Sequence, residues 1–156
     1  MESAMAKVIF GNHSAVRVPR TERDSIRKFY CDLLGCKLVR EFDNKDDLQI
    51  GDNFYIAFLY GPGNGQGADK GVNYSPESTL SNEDFLKAIF LELKCDNVNE
   101  MRQKIVSFGV KVLNVPDNHL YFQAPGGQVF RLVDINEDLS KYERNVWISA
   151  QLTAAL

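Results

Sequence analysis

A short pattern occurs twice in this chain. Each copy reads as a strand, a polar cap, an amphipathic helix, a terminating glycine and another strand. The apolar residues of the first helix lie within 26–34 and precede Gly35, and those of the second lie within 98–108 and precede Gly109. Apolar residues at helical spacing followed by glycine are typical of an amphipathic helix with a left-handed C-terminal residue. A repeated βαβ-containing unit predicts two similar half-sheets with a site between them.

Local signals place the elements of the first copy. Thr21, with Asp24 three residues later, is expected to cap the first helix in a variant of the capping box. Apolar alternation and turn residues predict the strands. These are expected at residues 8–18, 36–42, 47–50 and 54–60.

The second copy has the same signals in the same order. Asn97 is expected to cap the second helix. Strands are expected from about residue 88 to 95 and at 110–115, 119–123 and 128–135. A closing helix is indicated by Leu139, Tyr142 and Val146.

The chain of 156 residues is long enough for one domain with a proper core. We expect a first module at 8–61, a linker at 62–87, a second module at 88–135 and a C-terminal tail at 136–156. The linker is rich in Gly, Asn, Ser and Pro. A loop of this length is often functional or disordered, so we expect residues 61–82 to be mobile without ligand and able to cover the mouth of a site.

Composition excludes several classes of function. The net charge is −3, whereas a nucleic-acid partner normally requires a basic face. No apolar run approaches a membrane span, and we see no signal peptide. The cysteine number, three, is odd and no CxxC pair occurs, which favours a reducing cytoplasm over a disulfide framework.

Three stretches carry a resemblance to a known family. His13 lies five residues before Val18, Asp96-Asn97-Val98 enters the second helix, and residues 122–132 look like a closing hairpin. In this order, over about residues 8–135, the chain resembles the vicinal oxygen chelate superfamily. That superfamily includes glyoxalase I, extradiol dioxygenases, fosfomycin-resistance enzymes and bleomycin-binding proteins.

The resemblance implies an α+β fold. Two repeated βαβββ modules would form a cup-shaped mixed sheet with helices on the outside. It also implies a homodimer, because family members are often dimers whose sites use both subunits.

In relatives a divalent metal sits in the cup, held by two ligands from each module. By the resemblance, His13 occupies the first ligand position. The second position lies on strand 54–60, which has no His, Glu or Gln. The third lies near Ile89 or Phe90, neither of which is a metal ligand, although Glu92 shares the face of Phe90. The fourth, normally Glu, is Arg131, which has no lone pair to give. We therefore expect no metal and no other cofactor.

Two of these residues have a simpler interpretation. His13 could be a polar residue hydrogen-bonded within the cup. Arg131 could form an internal salt bridge with Glu92, since a buried arginine normally needs a partner. Alternatively its fork could hold a carboxylate, phosphate or enolate in place of the metal.

Strand parity adds further cup residues. Arg17 shares a face with His13, and His119, Tyr121 and Gln123 share the other module's cup face. Parity leaves open which residues of strand 54–60 line the cup. The ligand-binding candidates are His13, Arg17, Phe58, Phe90, Glu92, His119, Tyr121, Gln123 and Arg131.

Three functions compete. The first is a binding protein or metal-independent enzyme with a small ligand in the cup, an anion if Arg131 holds it. The second is a divergent metal-dependent lyase or dioxygenase that uses His13 and Glu92, with His119 as a further candidate ligand. The third is a protein-interaction module with a collapsed cup.

Overall fold

The computed structural model describes residues 6–61 and 90–137. The predicted linker at 62–87 and the closing helix predicted near Leu139, Tyr142 and Val146 lie outside these residues. Within the described ranges, no helix has both the length and the apolar character needed to cross a membrane.

The first module forms a four-stranded mixed sheet. Its strand order is β1-β4-β3-β2, with β1 parallel to β4 and the other neighbours antiparallel. The strands are β1 (His13–Val18), β2 (Lys37–Phe42), β3 (Lys45–Ile50) and β4 (Phe54–Tyr60). The predicted first strand was too long, because residues 8–12 precede β1 without strand pairing.

The second module repeats this arrangement. Its order is β5-β8-β7-β6, again with one parallel pair, β5 and β8. The strands are β5 (Leu91–Cys95), β6 (Lys111–Leu113), β7 (Leu120–Gln123) and β8 (Val129–Asp134). Two mixed sheets of identical order confirm the predicted α+β fold of two repeated modules.

The first helical segment differs from the prediction. A 3-10 turn at Arg20–Glu22 leads into α1 (Arg23–Arg27), which continues as a π-helical turn at Lys28–Leu33. Thr21 lies inside the 3-10 turn, and the residue before that turn is Pro19, without a side-chain cap. The expected Thr21 cap was therefore wrong, because the chain begins to coil before Thr21 is reached.

The second helix follows the prediction closely. The Asn97 side chain accepts a hydrogen bond from the Glu100 backbone N–H at the start of α2 (Val98–Phe108). The helix ends at Gly109, whose φ of +93° is the left-handed conformation that glycine adopts without strain.

Two adjacent aromatic residues join the modules. Phe29 and Tyr30 are both fully buried. The Tyr30 ring lies 5.0 Å from the Phe58 ring of the first sheet and 6.1 Å from the Phe130 ring of the second. The Phe29 ring lies 5.8 Å from the Phe122 ring. The π-helical turn that carries both rings therefore packs against both sheets in one continuous core.

The turn between β7 and β8 is buried against the first module. Gly126 has a φ of +87°, and a Cβ there would lie 2.9 Å from Ile26 Cδ1 and 3.2 Å from Val18 Cγ1. Real Cβ atoms rarely approach other atoms so closely. The turn thus requires glycine for its backbone and for its contact with the first module.

We expect Gly126→Ala to lower the free energy of unfolding by about 2 kcal/mol, from backbone strain and overpacking. Gly35→Ala is the matched control, since Gly35 has a φ of +75° but no atom within 4 Å. The control should lose only the backbone part, about 1 kcal/mol. Urea unfolding measures the free energy of unfolding of both variants. Adding Ile26→Val should partly restore the stability of the Gly126→Ala protein, because it removes the Cδ1 atom that the new Cβ would meet. Equal losses in the two variants would contradict the packing role.

A buried carboxylate ties the first helical segment to its sheet. The Asp46 side chain has 0% exposure and accepts hydrogen bonds at 2.8 Å from Arg23 and Arg27. The Tyr60 hydroxyl donates to it at 2.9 Å. Burial opposes ionisation of Asp46, but the bonds from Arg27, Arg23 and Tyr60 outweigh it and lower the pKa to about 2. The ionised form therefore stabilises the fold.

This cluster predicts a pH dependence of stability. The unfolded pKa of Asp is about 3.9, so the contribution is complete above that pH and is lost as pH falls toward 2. A shift of this size corresponds to about 2.5 kcal/mol. Urea unfolding from pH 6 to pH 2 should show this loss in the wild type. Asp46→Asn should be less stable at neutral pH and should lack this component of the acid slope. Asp47→Asn, one residue along, should keep it.

Candidate functional site

Arg131 lies on the face of the second sheet that points away from the core, which we call the outer face. It is paired across the ladder with Glu92 on β5 and Tyr121 on β7. Its neighbours Phe130 and Leu132 are buried in the core. Strand alternation therefore sets Glu92, Arg131 and Tyr121 side by side on the outer face.

Arg131 is engaged by both neighbours. Its Nη2 donates to Glu92 Oε2 at 2.6 Å, and its Nη1 donates to the Tyr121 hydroxyl at a longer 3.3 Å. The Arg131 and Glu92 side chains are 22% and 21% exposed. Burial lowers the pKa of Arg131, but the bonds to Glu92 and Tyr121 raise it above its usual value, so the guanidinium is charged.

Aromatic rings flank the guanidinium. The Arg131 Cζ atom lies 5.6 Å from the Phe90 ring centroid and 6.0 Å from that of Tyr121. The Phe90 and Tyr121 rings themselves meet edge to face, with centroids 5.6 Å apart. We call Phe90, Glu92, Tyr121 and Arg131 the Arg131 cluster. It combines one cation, one anion and two aromatic surfaces.

A chain of hydrogen bonds extends from the Arg131 cluster. The Tyr121 hydroxyl donates to Asp117 Oδ2 at 2.8 Å. Asp117 Oδ1 accepts from the His119 backbone N–H at 2.6 Å and lies 3.0 Å from His119 Nδ1. Burial raises the pKa of Asp117, but these bonds outweigh it and lower the pKa below its usual value. Asp117 is therefore an ionised acceptor at neutral pH.

His119 lies beyond the outer face, at the end of that chain. Its Nε2 lies 2.7 Å from Glu137 Oε1. Both ring nitrogens can donate to their carboxylates only when the imidazole is protonated. His119 precedes β7 and meets the Arg131 cluster only through Asp117, so it is not a direct neighbour of Arg131.

His13 and Arg17 lie on the outer face of the other sheet. Both are exposed. The His13 ring stacks on the Tyr55 ring at 5.0 Å, and its Nδ1 lies 2.8 Å from Asn12 Oδ1. Within residues 6–61 and 90–137, no hydrogen bond, ion pair or ring contact joins either residue to the Arg131 cluster. The expected neighbourhood of Arg131 thus includes Glu92 but not His13.

The remaining two candidates are buried. Gln123 lies on the outer-face side of β7, with 3% exposure and a long 3.4 Å hydrogen bond to the Gly127 carbonyl. Phe58 requires a correction. It is fully buried on the core side of β4 against Tyr30, so it does not face a ligand on the outer face. Tyr55 and Leu59, of the opposite parity, share the register of His13 and Arg17.

The side chains that could bind a metal ion here are those of His, Cys, Asp and Glu. In the part of the chain that the structure describes, no three His, Cys, Asp or Glu side chains come together to hold a metal ion. Glu92 directs a carboxylate oxygen to the Arg131 guanidinium instead. The donors at the described positions therefore do not form the four-ligand metal site that the resemblance implies.

Sequence reasoning missed four polar participants. Asp117 could have been found, because an Asp two residues before a His favours an Asx-type turn. Tyr55 needed the parity of β4, which the sequence leaves open. Asn12 and Glu137 lie outside the strands, and no pattern signals their contacts with His13 and His119.

The fold is shared with solved proteins of low sequence identity. Leishmania major glyoxalase I, which is trypanothione-dependent, aligns with a TM-score of 0.56 and 16% identity, over 92% of this chain and 99% of that one. TnmS3, an antibiotic-binding protein from Streptomyces sp. CB03234, gives 0.51 and 16%, over 83% and 98%. FosX from Listeria monocytogenes, a fosfomycin resistance protein, gives 0.52 and 12%, over 83% and 94%.

No curated protein matches the chain significantly. A family model does match, over residues 12–130, a range that runs from just before β1 into the start of β8. The chain belongs to the Glyoxalase/Bleomycin resistance protein/Dioxygenase superfamily.

Proposed function

We propose that this protein binds a small anionic organic molecule at the Arg131 cluster without a divalent metal. The observation that carries the proposal is the Arg131–Glu92 ion pair at 2.6 Å, at a position where relatives normally carry a metal-binding carboxylate. A fixed guanidinium repels a divalent cation and attracts an anion. Glu92 keeps that charge compensated when no ligand is bound.

The guanidinium has capacity left for a ligand. Only Nη2 makes a short bond, whereas the 3.3 Å distance from Nη1 to Tyr121 is longer than usual hydrogen bonds. An anionic oxygen can therefore bind Nη1 while the Glu92 pair stays intact. The rings of Phe90 and Tyr121 offer apolar surface to the body of such a ligand. A planar aromatic carboxylate or enolate fits this combination.

Thermal shift with benzoate tests the proposal, with neutral benzamide as its isostere. Benzoate should raise the melting temperature and benzamide should not, because a ligand that binds only the folded state stabilises it. Arg131→Leu should abolish the benzoate shift. Arg131→Lys should weaken it, because lysine lacks the planar guanidinium whose paired N–H groups match a carboxylate. Arg102→Leu, an exposed arginine on α2, is the matched control and should keep the shift.

Glu92→Gln separates binding from a purely structural role. Removing the negative charge of Glu92 beside the guanidinium should strengthen benzoate binding if Arg131 holds the anion. If the pair is only structural, both Glu92→Gln and Arg131→Leu should lower stability and leave the affinity unchanged. That second result would contradict the proposed function.

A second candidate is a divergent metal-dependent lyase or dioxygenase. His13 supports it, because its Nδ1 is engaged by the Asn12 side chain while Nε2 is left for a ligand. In metal-binding histidines, the ring nitrogen that does not bind the metal usually makes a hydrogen bond to a neighbouring group. Stoichiometric metal in the purified protein, lost in His13→Ala, would favour this candidate over the first.

We also propose a homodimer. Val8, Ile9 and Phe10, just before edge strand β1, are 89%, 76% and 103% exposed. Three adjacent apolar side chains in water are unfavourable, and such a patch marks an interaction site.

Phe10→Asp should therefore shift the protein from dimer to monomer, measured by light scattering after size exclusion. The buried charge would oppose association while leaving the core untouched. Phe42→Asp is the matched control, since Phe42 is 49% exposed on the opposite edge strand β2. A wild-type protein that is monomeric at all concentrations would contradict the proposed dimer.

A further inference from the structure

A groove of about 680 Å³ runs between the two modules on the core side of the sheets. Its floor consists of the buried side chains of Ile56, Phe130 and Leu132. Half-buried Phe54 and Leu93 form its walls. This volume lies in the range of small-molecule sites, and the floor is contiguous with the core.

Of the Arg131 cluster, only Glu92 borders the groove. Leu91, Leu93 and Cys95 alternate along β5 with Glu92 and Lys94, so the two sets of side chains leave opposite faces of the strand. The first set belongs to the core side, and residues of both sets border the groove, which follows the edge strand β5. Glu92 borders the groove, but its carboxylate is directed to Arg131 on the outer face.

Charge at the groove is confined to its edge. Of its charged lining residues, Glu92 is paired with Arg131, and Lys94 and Asp96 are exposed. Among the residues that the structure describes, the remaining lining is aliphatic, aromatic, glycine or sulfur-containing. Burial raises the pKa of the Cys36 thiol to about 12, so this group is neutral as well. Among the described lining residues, Lys94 and Asp96 therefore place charge only at the exposed edge of the groove, and its floor is apolar.

We propose that this groove binds a neutral, largely apolar small molecule, as a second ligand site separate from the Arg131 cluster. Met101 on α2 lines the groove and supplies a flexible, polarizable side chain that adapts to different apolar shapes. Elements of both modules contribute, so an occupant would contact the C-terminal end of the first helical segment and α2 together.

Nile red, a neutral apolar dye, is the probe for the full chain. The wild type should bind it saturably with one site, with increased and blue-shifted fluorescence. Met101→Trp should fill the groove and weaken binding about tenfold or more. Val106→Trp is the matched control on the same helix, since Val106 is 48% exposed and is not a lining residue. It should bind as the wild type does.

Thiol protection provides a measurement that needs no variant. Cys95 lines the groove and Cys31 does not. Saturating Nile red should slow the reaction of Cys95 with N-ethylmaleimide, followed by mass spectrometry, and leave Cys31 unaffected. Equal weakening by the two tryptophan variants, unsaturable dye binding, or an unchanged Cys95 rate would overturn the proposal.

Discussion

The packing of Phe29 and Tyr30 against both sheets holds this structure together. Neither module could bury these rings alone, because Tyr30 contacts Phe58 on one side and Phe130 on the other. The π-helical turn at Lys28–Leu33 carries both rings at consecutive positions of the helical segment. This shared core also sets the orientation of the two outer faces, because the core side of each sheet packs against the same helical segment.

The Arg131–Glu92 pair gives the outer face of the second sheet its chemical character. With a carboxylate at residue 131, that face would carry two adjacent negative charges and suit a cation. With arginine, the pair is neutral overall and the guanidinium presents its Nη1 edge. A single substitution on an unchanged backbone can thus change the class of ligand, as expected where function depends on the site and not on the fold.

The repeat explains how far sequence reasoning could go. β4 was predicted with the same bounds, and both Asn97 and Gly109 have the expected roles, because these signals are local. The Asp46 cluster could not be predicted, since its partners Arg23 and Arg27 come from a distant segment. Phe58 was placed on a ligand face because β4 is apolar on both sides, so its alternation does not reveal the core. The Arg131–Glu92 contact was foreseen as an alternative, because a half-buried arginine needs a partner.

The buried β7–β8 turn has a consequence for how the molecule could be divided. Val18 and Ile26 are covered by Gly126, a residue of the other module. A fragment containing only the first module would therefore expose Val18 and Ile26 to water. A fragment containing only the second module would leave its β7–β8 turn without the residues against which it packs. The duplicated units are not independent folding domains. Two such fragments, mixed in solution, would be expected to associate through this turn and the shared aromatic rings. Each fragment would then provide the surface against which the other folds.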